Sequence, residues 1–205
     1  MNILLTGERQ AGKTTVCRLV AELARELGYD PAGVLTPAVL GQDGLPVAYH
    51  AQMVSDGEQR FLAWADSDLE KETLNPETRN RKPSTGGPRA GRYSFDADVL
   101  SWVIGRLQEA ISQGCDLLIV DEIGPLELEQ GRGLAPILSN LSGERLPPLL
   151  LVVRPELVAQ LRRRLSNIPF CTFTVTLENR QALPDAVVKE LFSDYDQWIF
   201  QGDEA

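Results

Sequence analysis

Cysteine is scarce in this chain and badly spaced for bridging. Cys17, Cys115 and Cys171 are odd in number among 205 residues and form no CxxC or Cys/His pattern. This argues against a disulfide framework and a zinc site, and a reducing compartment fits. Histidine is scarcer still. The single one, His50, lies in a segment of hairpin character, where a structural role outweighs catalysis. Basic charge is also in deficit: 20 Lys and Arg against 29 Asp and Glu leave a formal charge of −9, a field that repels nucleic acid and anionic membrane. A polyanion would have to meet a local basic patch or arrive neutralised by metal. No apolar run approaches the roughly 20 residues of a membrane span. The opening MNILLTGERQ lacks the basic and long apolar regions of a signal peptide, so the expected setting is the cytoplasm.

What is present suits one globular domain over residues 1–205: 43% hydrophobic and 24% charged residues, enough to bury a core without staples. Residues 2–6 form a short apolar run, predicting a buried strand. From Thr14 to Leu27, apolar residues recur at helical spacing, and Gly28 supplies a stop. Residues 33–36 predict a second strand. Residues 41–92 read as an inserted hairpin and loop, with strands at 45–53 and 59–65, a polar loop at 66–92 and a return strand at 92–95. Helices are expected at 96–113, 134–141, 156–165 and 180–192, strands at 116–120, 148–153 and 170–176, and a frayed tail at 201–205. Apolar strands alternating with helices predict an α/β fold of three layers, with a mainly parallel sheet covered on both faces.

Gly7, Glu8, Arg9, Gln10, Ala11, Gly12, Lys13, Thr14 and Thr15 satisfy GxxxxGK[ST], the P-loop or Walker A pattern. A polyphosphate needs several backbone N–H donors converging on it. A chain wraps that tightly only where side chains are absent or small. Gly7 permits the exit from the strand and Gly12 the close approach. Lys13 offers a cation to the β- and γ-phosphates, Thr14 a hydroxyl to Mg²⁺, and the following helix its N-terminal dipole. A bare match of this kind arises by chance. Here an apolar strand precedes it and an amphipathic helix follows, which is the context the chemistry requires.

About a hundred residues on, an apolar strand delivers Asp121 and Glu122 at its C-terminal end, in the manner of a Walker B motif. In a parallel sheet that end is where the ligand crevice forms. Asp121 is placed to serve the metal and Glu122 to orient and deprotonate water. Asp121–Gly124 also satisfies DxxG, but the chain holds no NKxD for guanine, and the position after Gly7 is Glu8 rather than the second lysine of MinD-like ATPases. Arg132, Arg154 and Arg180 are candidates to stabilise charge on a transferring phosphate. Taken singly, each is better explained as a surface arginine; together they make one such cation plausible. The basic run of Arg79, Arg81, Lys82, Arg89 and Arg92 reads as a solvated loop slightly ahead of a polyanion clamp, and Arg162–Arg164 as cations suiting a helix C-terminus. Tyr93, Trp64 and Phe95 are candidate platforms for a base.

Together GERQAGKTT, GVLTP, RAGRYSF, LLIVDEIGPLEL and FTVTLENRQAL resemble the cancer-related or thermophile nucleoside-triphosphatase family of small P-loop enzymes. The resemblance runs over about residues 2–193. It implies a RecA-like sheet and Mg²⁺-dependent hydrolysis of ATP, GTP and other triphosphates to diphosphate and phosphate. It further implies that residues 7–15 bind phosphate and that Leu118, Ile119, Val120, Asp121, Glu122, Ile123, Gly124 and Pro125 complete the nucleotide site. Lys13 and Glu122 would then be catalytic, and Thr14 and Asp121 would serve the metal. Glu127, Asn179 and Arg180 match signature positions without an assigned role. An Arg-x-Gly-Phe element frequent in such proteins is replaced here by GQDGLPVAYHA.

Two other functions compete with hydrolysis: phosphotransfer to an acceptor held by residues 41–92, and a nucleotide-driven binding switch with incidental turnover. Glu122 favours hydrolysis, because a kinase gains little from a base aimed at water. The expectation beneath all three is that the strand before the P-loop and the strand ending in Asp121 lie side by side, sharing one magnesium ion.

Overall fold

The computed structural model describes residues 1–66, 86–141 and 146–193. A ten-stranded sheet organises them. Its strands are β1 (Ile3–Thr6), β2 (Pro31–Leu35), β3 (Ala38–Leu40), β4 (Pro46–Met53), β5 (Gln59–Ala65), β6 (Arg89–Ala90), β7 (Tyr93–Phe95), β8 (Leu117–Ile123), β9 (Leu149–Val153) and β10 (Cys171–Thr174). The helices are α1 (Lys13–Glu26), α2 (Ala97–Gln113), α3 (Pro125–Leu128), α4 (Ala135–Asn140), α5 (Val158–Arg164) and α6 (Leu183–Leu191).

The strand order is β10-β1-β9-β8-β2-β4-β5-β7-β6, with β3 also paired to β4. From β10 to β2 every pairing is parallel, and from β4 outward every pairing is antiparallel. The predicted α/β architecture with an added hairpin is therefore what forms. One expectation fails: β1 and β8 are not neighbours, because β9 lies between them. Apolar runs of this kind specify burial on both faces, but not which parallel partner each strand takes. The separation is about 10 Å, two strand spacings, and a loop can span it.

Alternation along the parallel strands divides the core between two faces. Leu4, Val34, Leu118, Val120, Leu149 and Leu151 face α2, α4 and α5. Ile3, Leu5, Ile119, Leu150 and Val152 face Val16, Val20 and Ala24 of α1 and Val187 and Leu191 of α6. Cys17 is fully buried among the latter, and burial pushes its thiol well above the ordinary range. It is a packed core residue. His50 packs its ring on Phe61 across the β4–β5 hairpin, at 4.1 Å between centroids.

Most boundaries fall within a few residues of expectation. The differences have local causes. Part of the stretch read as loop pairs as β6, through Arg89↔Ser94 and Ala90↔Tyr93. Glu156 lies in a 3₁₀ turn over Pro155–Leu157 before α5, and α6 begins at Leu183 because Asn179 first closes a separate turn. Residues 67–85 of the predicted loop, with Arg79, Arg81 and Lys82, lie outside the described residues, as does the 201–205 tail. Among the described residues no helix is long and apolar enough to cross a membrane.

Candidate nucleotide site

Residues 7–12 turn from β1 into α1, with glycine at the two positions where the backbone leaves no room for a side chain. Gly7 has φ +146°, and a Cβ there would lie 2.4 Å from the Val175 carbonyl oxygen. Gly12 has φ +101°, with the Arg180 side chain 3.1 Å from where a Cβ would sit. Gly12 is also the N-cap of α1, which has no side-chain cap and no acidic residue in its first turn, so its leading N–H groups remain available to an anion. Lys13 curls over this loop, its Nζ donating to the carbonyls of Gly7 at 2.8 Å and Glu8 at 2.7 Å.

The β8 end meets the loop directly. Thr14 Oγ1 donates to Asp121 Oδ2 at 2.7 Å, although the two are 107 residues apart. The same oxygen accepts from the Thr36 N–H at 3.0 Å and the Thr36 hydroxyl at 3.2 Å. Asp121 is 2% exposed. Burial, and secondarily the charge of Glu122, holds its carboxyl above the usual range despite these hydrogen bonds. Burial likewise draws the Lys13 ammonium below its ordinary value, against the pull of Glu122 and Asp121.

Glu122 stands at φ +67°, a left-handed conformation rare for a side chain of this kind. The β8–β9 register shifts between Val120 and Ile123, so a bulge turns the two carboxylates in different directions. Asp121 faces Thr14 and Thr36. Glu122 faces the end of β9, where Arg154 Nη2 lies 3.1 Å from its Oε1.

A groove of about 630 Å³ runs along these groups, between Arg9, Lys13, Thr14, Arg18 and Arg180 on one side and Pro37, Leu45, Pro46, Tyr49, Arg92 and Tyr93 on the other. That volume lies within the roughly 300–1,000 Å³ usual for small-molecule sites. Behind Glu122 a mainly apolar chamber of about 90 Å³ continues between Leu62, Phe95, Leu100 and Leu126, too small for a nucleotide.

A model of the NTPase family matches residues 2–188 of this chain. The chain belongs to that family. The nucleoside-triphosphatase THEP1 of Thermofilum pendens is 30% identical to this NTPase over 195 residues, covering 94% of this chain and 96% of its own. That of Methanopyrus kandleri is 27% identical over 202 residues, 97% of each chain. The solution structure of a human cancer-related nucleoside triphosphatase shares the fold, with a TM-score of 0.65 at 24% identity over 94% of this chain and 97% of its own.

Within this NTPase the residues singled out from sequence separate by position. Glu8, Arg9, Gln10, Lys13, Thr14, Thr15, Asp121, Glu122, Arg154 and Arg180 lie on the loop or the groove. Leu118, Ile119, Val120 and Ile123 do not: all are fully buried in the two cores, where they hold the acidic pair in place rather than face a ligand. Ala11 is buried against the α1 side of the sheet. Gly124 and Pro125 border the inner chamber.

Glu127 is 5% exposed and spends both oxygens on backbone N–H groups, Oε2 on Gly124 at 2.9 Å and Oε1 on Leu134 at 3.1 Å. It anchors α3 and the loop after it. Asn179 is similarly engaged: Oδ1 accepts from the Thr176 N–H at 2.9 Å and Nδ2 donates to the Thr174 carbonyl at 2.8 Å. That turn presents Arg180 to Gly12. Of the proposed base platforms, Tyr93 borders the groove, Phe95 the chamber, and Trp64 is buried beside Phe61. Sequence reasoning missed Thr36, whose signal was the polar Thr-Pro pair closing an apolar strand, and Tyr49. Burial and then the Glu122 charge push the Tyr49 phenol up from its ordinary value.

The donors fit magnesium. It takes oxygen ligands, commonly one or two carboxylates completed by substrate phosphates. Asp121 and Thr14 offer a buried carboxylate and a hydroxyl in contact. A cation there would relieve the cost of charging Asp121. Among the described residues no cluster of three or more His, Cys, Asp or Glu could hold a metal.

Proposed function

We propose that this NTPase binds nucleoside triphosphates, ATP and GTP among them, with Mg²⁺ in the groove beside Lys13, and hydrolyses them to nucleoside diphosphate and phosphate. The observation that carries the reading is the 2.7 Å contact of Thr14 with Asp121, which brings metal donors from the P-loop and from β8 together despite the intervening strand. A cytoplasmic setting accords with the three free thiols and the need for magnesium nucleotide.

In this reading the phosphates lie on the N–H groups of residues 7–15, and Lys13 exchanges its loop carbonyls for phosphate oxygens. Mg²⁺, when bound with the nucleotide, supplies charge neutralisation on the β- and γ-phosphates. Glu122 accepts a proton from water as the water oxygen bonds to the γ-phosphorus. The bond from that phosphorus to the β–γ bridging oxygen breaks, and its electron pair leaves on the diphosphate. Lys13 offsets the charge on the leaving oxygens, and Glu122 then releases its proton to solvent.

The test is phosphate release from ATP, GTP, CTP and UTP, with Mg²⁺ or chelator and no added acceptor. Turnover that needs Mg²⁺ is expected, with Lys13→Ala and Glu122→Gln each slowing it by about 100-fold or more. The wall formed by Leu45, Pro46, Tyr49 and Tyr93 is the one feature that favours phosphotransfer, because it could hold an acceptor beside Glu122. Release strictly dependent on an added acceptor would establish that second reading instead.

A further inference from the structure

Resting on the proposed hydrolytic reading, we infer that Arg154 is the residue by which the site tells triphosphate from diphosphate, and that it does so by changing partners between Glu122 and the terminal phosphate. Arg154 follows β9, the strand inserted between the P-loop strand and the acidic strand. That placement sets it between the cradle and the carboxylates. Its side chain borders both the groove and the inner chamber, so it stands at the wall they share. It also lies close enough to Lys13 for its charge to act on that ammonium.

Three features make the pair exchangeable. Arg154 and Glu122 meet through a single 3.1 Å contact, with side chains 26% and 36% exposed, so water reaches both and the pair is weak. The bulge and the φ of +67° set where the Glu122 side chain leaves the strand independently of Arg154. Most of the movement therefore falls to the arginine. A terminal phosphate carries more charge than a carboxylate and accepts guanidinium bidentately, so it outcompetes Glu122 for Arg154. A diphosphate, ending one phosphate short, leaves the pair as it is.

The exchange has two consequences. While Arg154 occupies Glu122, one carboxylate oxygen is engaged and cannot accept from water. Once Arg154 turns to the γ-phosphate, Glu122 is released beside the phosphorus that water must attack. Base activity is thus conditional on a terminal phosphate.

The experiment is a double-mutant cycle read by calorimetric binding of ADP and of β,γ-imido-ATP, both with Mg²⁺, to the wild type, Arg154→Gln, Glu122→Ala and the double variant. Arg154→Gln is expected to weaken the imido analogue by about tenfold and leave ADP within twofold. Glu122→Ala is expected to tighten the analogue by about fivefold more when Arg154 is present than when it is replaced. Unchanged ADP binding shows that each variant is folded. If Arg154→Gln loses ADP binding too, Arg154→Lys takes its place, keeping the charge without the fork, and an intermediate loss confined to the analogue is expected. Equal weakening of both nucleotides by the variant that folds, or strictly additive effects across the cycle, would overturn the exchange while leaving hydrolysis intact. Failure of the wild type to bind either nucleotide would instead sink the hydrolytic reading itself.

Discussion

Asp121 shows how a site residue carries a stability cost for function. It is buried, its carboxyl is raised above the usual range, and a charged neighbour follows it in sequence. A folded-state pKa above the unfolded value means that the stability the group contributes is full below the ordinary carboxylate range and is lost as pH rises through the raised value. At neutral pH the metal-free protein therefore bears the cost of charging this acid. Asp121→Asn keeps an oxygen for the Thr36 N–H and escapes that cost. The metal-free variant should melt about 2–4 °C above wild type at pH 7, roughly a 1 kcal/mol gain. The difference should shrink as pH falls toward the ordinary carboxylate range, and a lower melting point at pH 7 would show that the hydrogen bonds outweigh burial. Glu127 behaves oppositely on substitution. Glu127→Gln would turn an amide N–H toward either the Gly124 or the Leu134 N–H, leaving a buried donor unmatched. A loss of about 1–3 kcal/mol in urea unfolding is expected. From sequence Glu127 was only a signature carboxylate; its role depends on a chain fold-back to Leu134 that no local pattern reveals. The P-loop residues were legible because their spacing is itself the chemistry.

Single elements were readable where one face or one cap defined them. α2 begins at Asp96, whose carboxylate accepts from the Asp98 and Val99 N–H groups at 2.9 and 3.1 Å, and ends at Gly114 with φ +85°. Asp96→Ala should cost about 1 kcal/mol, up to 2, in chemical denaturation while leaving the groove residues in place. Turnover unchanged but stability reduced is the expected pair of results. The short α3 escaped notice because four residues give no periodicity, although Pro125 directly after Gly124 marked a helix start. β6 was missed for the same reason: two residues pair only because β7 lies alongside. The Asp121–Glu122 bulge was equally silent in the sequence. An apolar strand ending in two acids predicts their arrival at the sheet edge, and says nothing of the register shift that turns one to Thr14 and the other to Arg154.

At the scale of the whole molecule, strand order decides which residues can meet. The sequence implied two ends of one pocket on adjacent strands. The sheet instead places β9 between them, and this insertion brings Arg154 into the site. Every parallel strand from β10 to β2 ends on the same edge, so the P-loop, the acidic pair, Arg154 and the turn bearing Arg180 all converge there. The antiparallel extension supplies the opposite wall through Pro46, Tyr49 and Tyr93. With a formal charge of −9, the chain repels a bare polyphosphate and suits one already carrying a divalent cation. The measurement that bears most directly on this arrangement is the Mg²⁺ dependence of ATP hydrolysis in wild type, Thr14→Ala, Asp121→Asn and the double variant. If one ion joins the loop to β8, each single change should raise the half-saturating Mg²⁺ concentration about tenfold, and the double should cost less than the product of the two. Hydrolysis that persists in chelator, or a Mg²⁺ requirement untouched by either substitution, would contradict it.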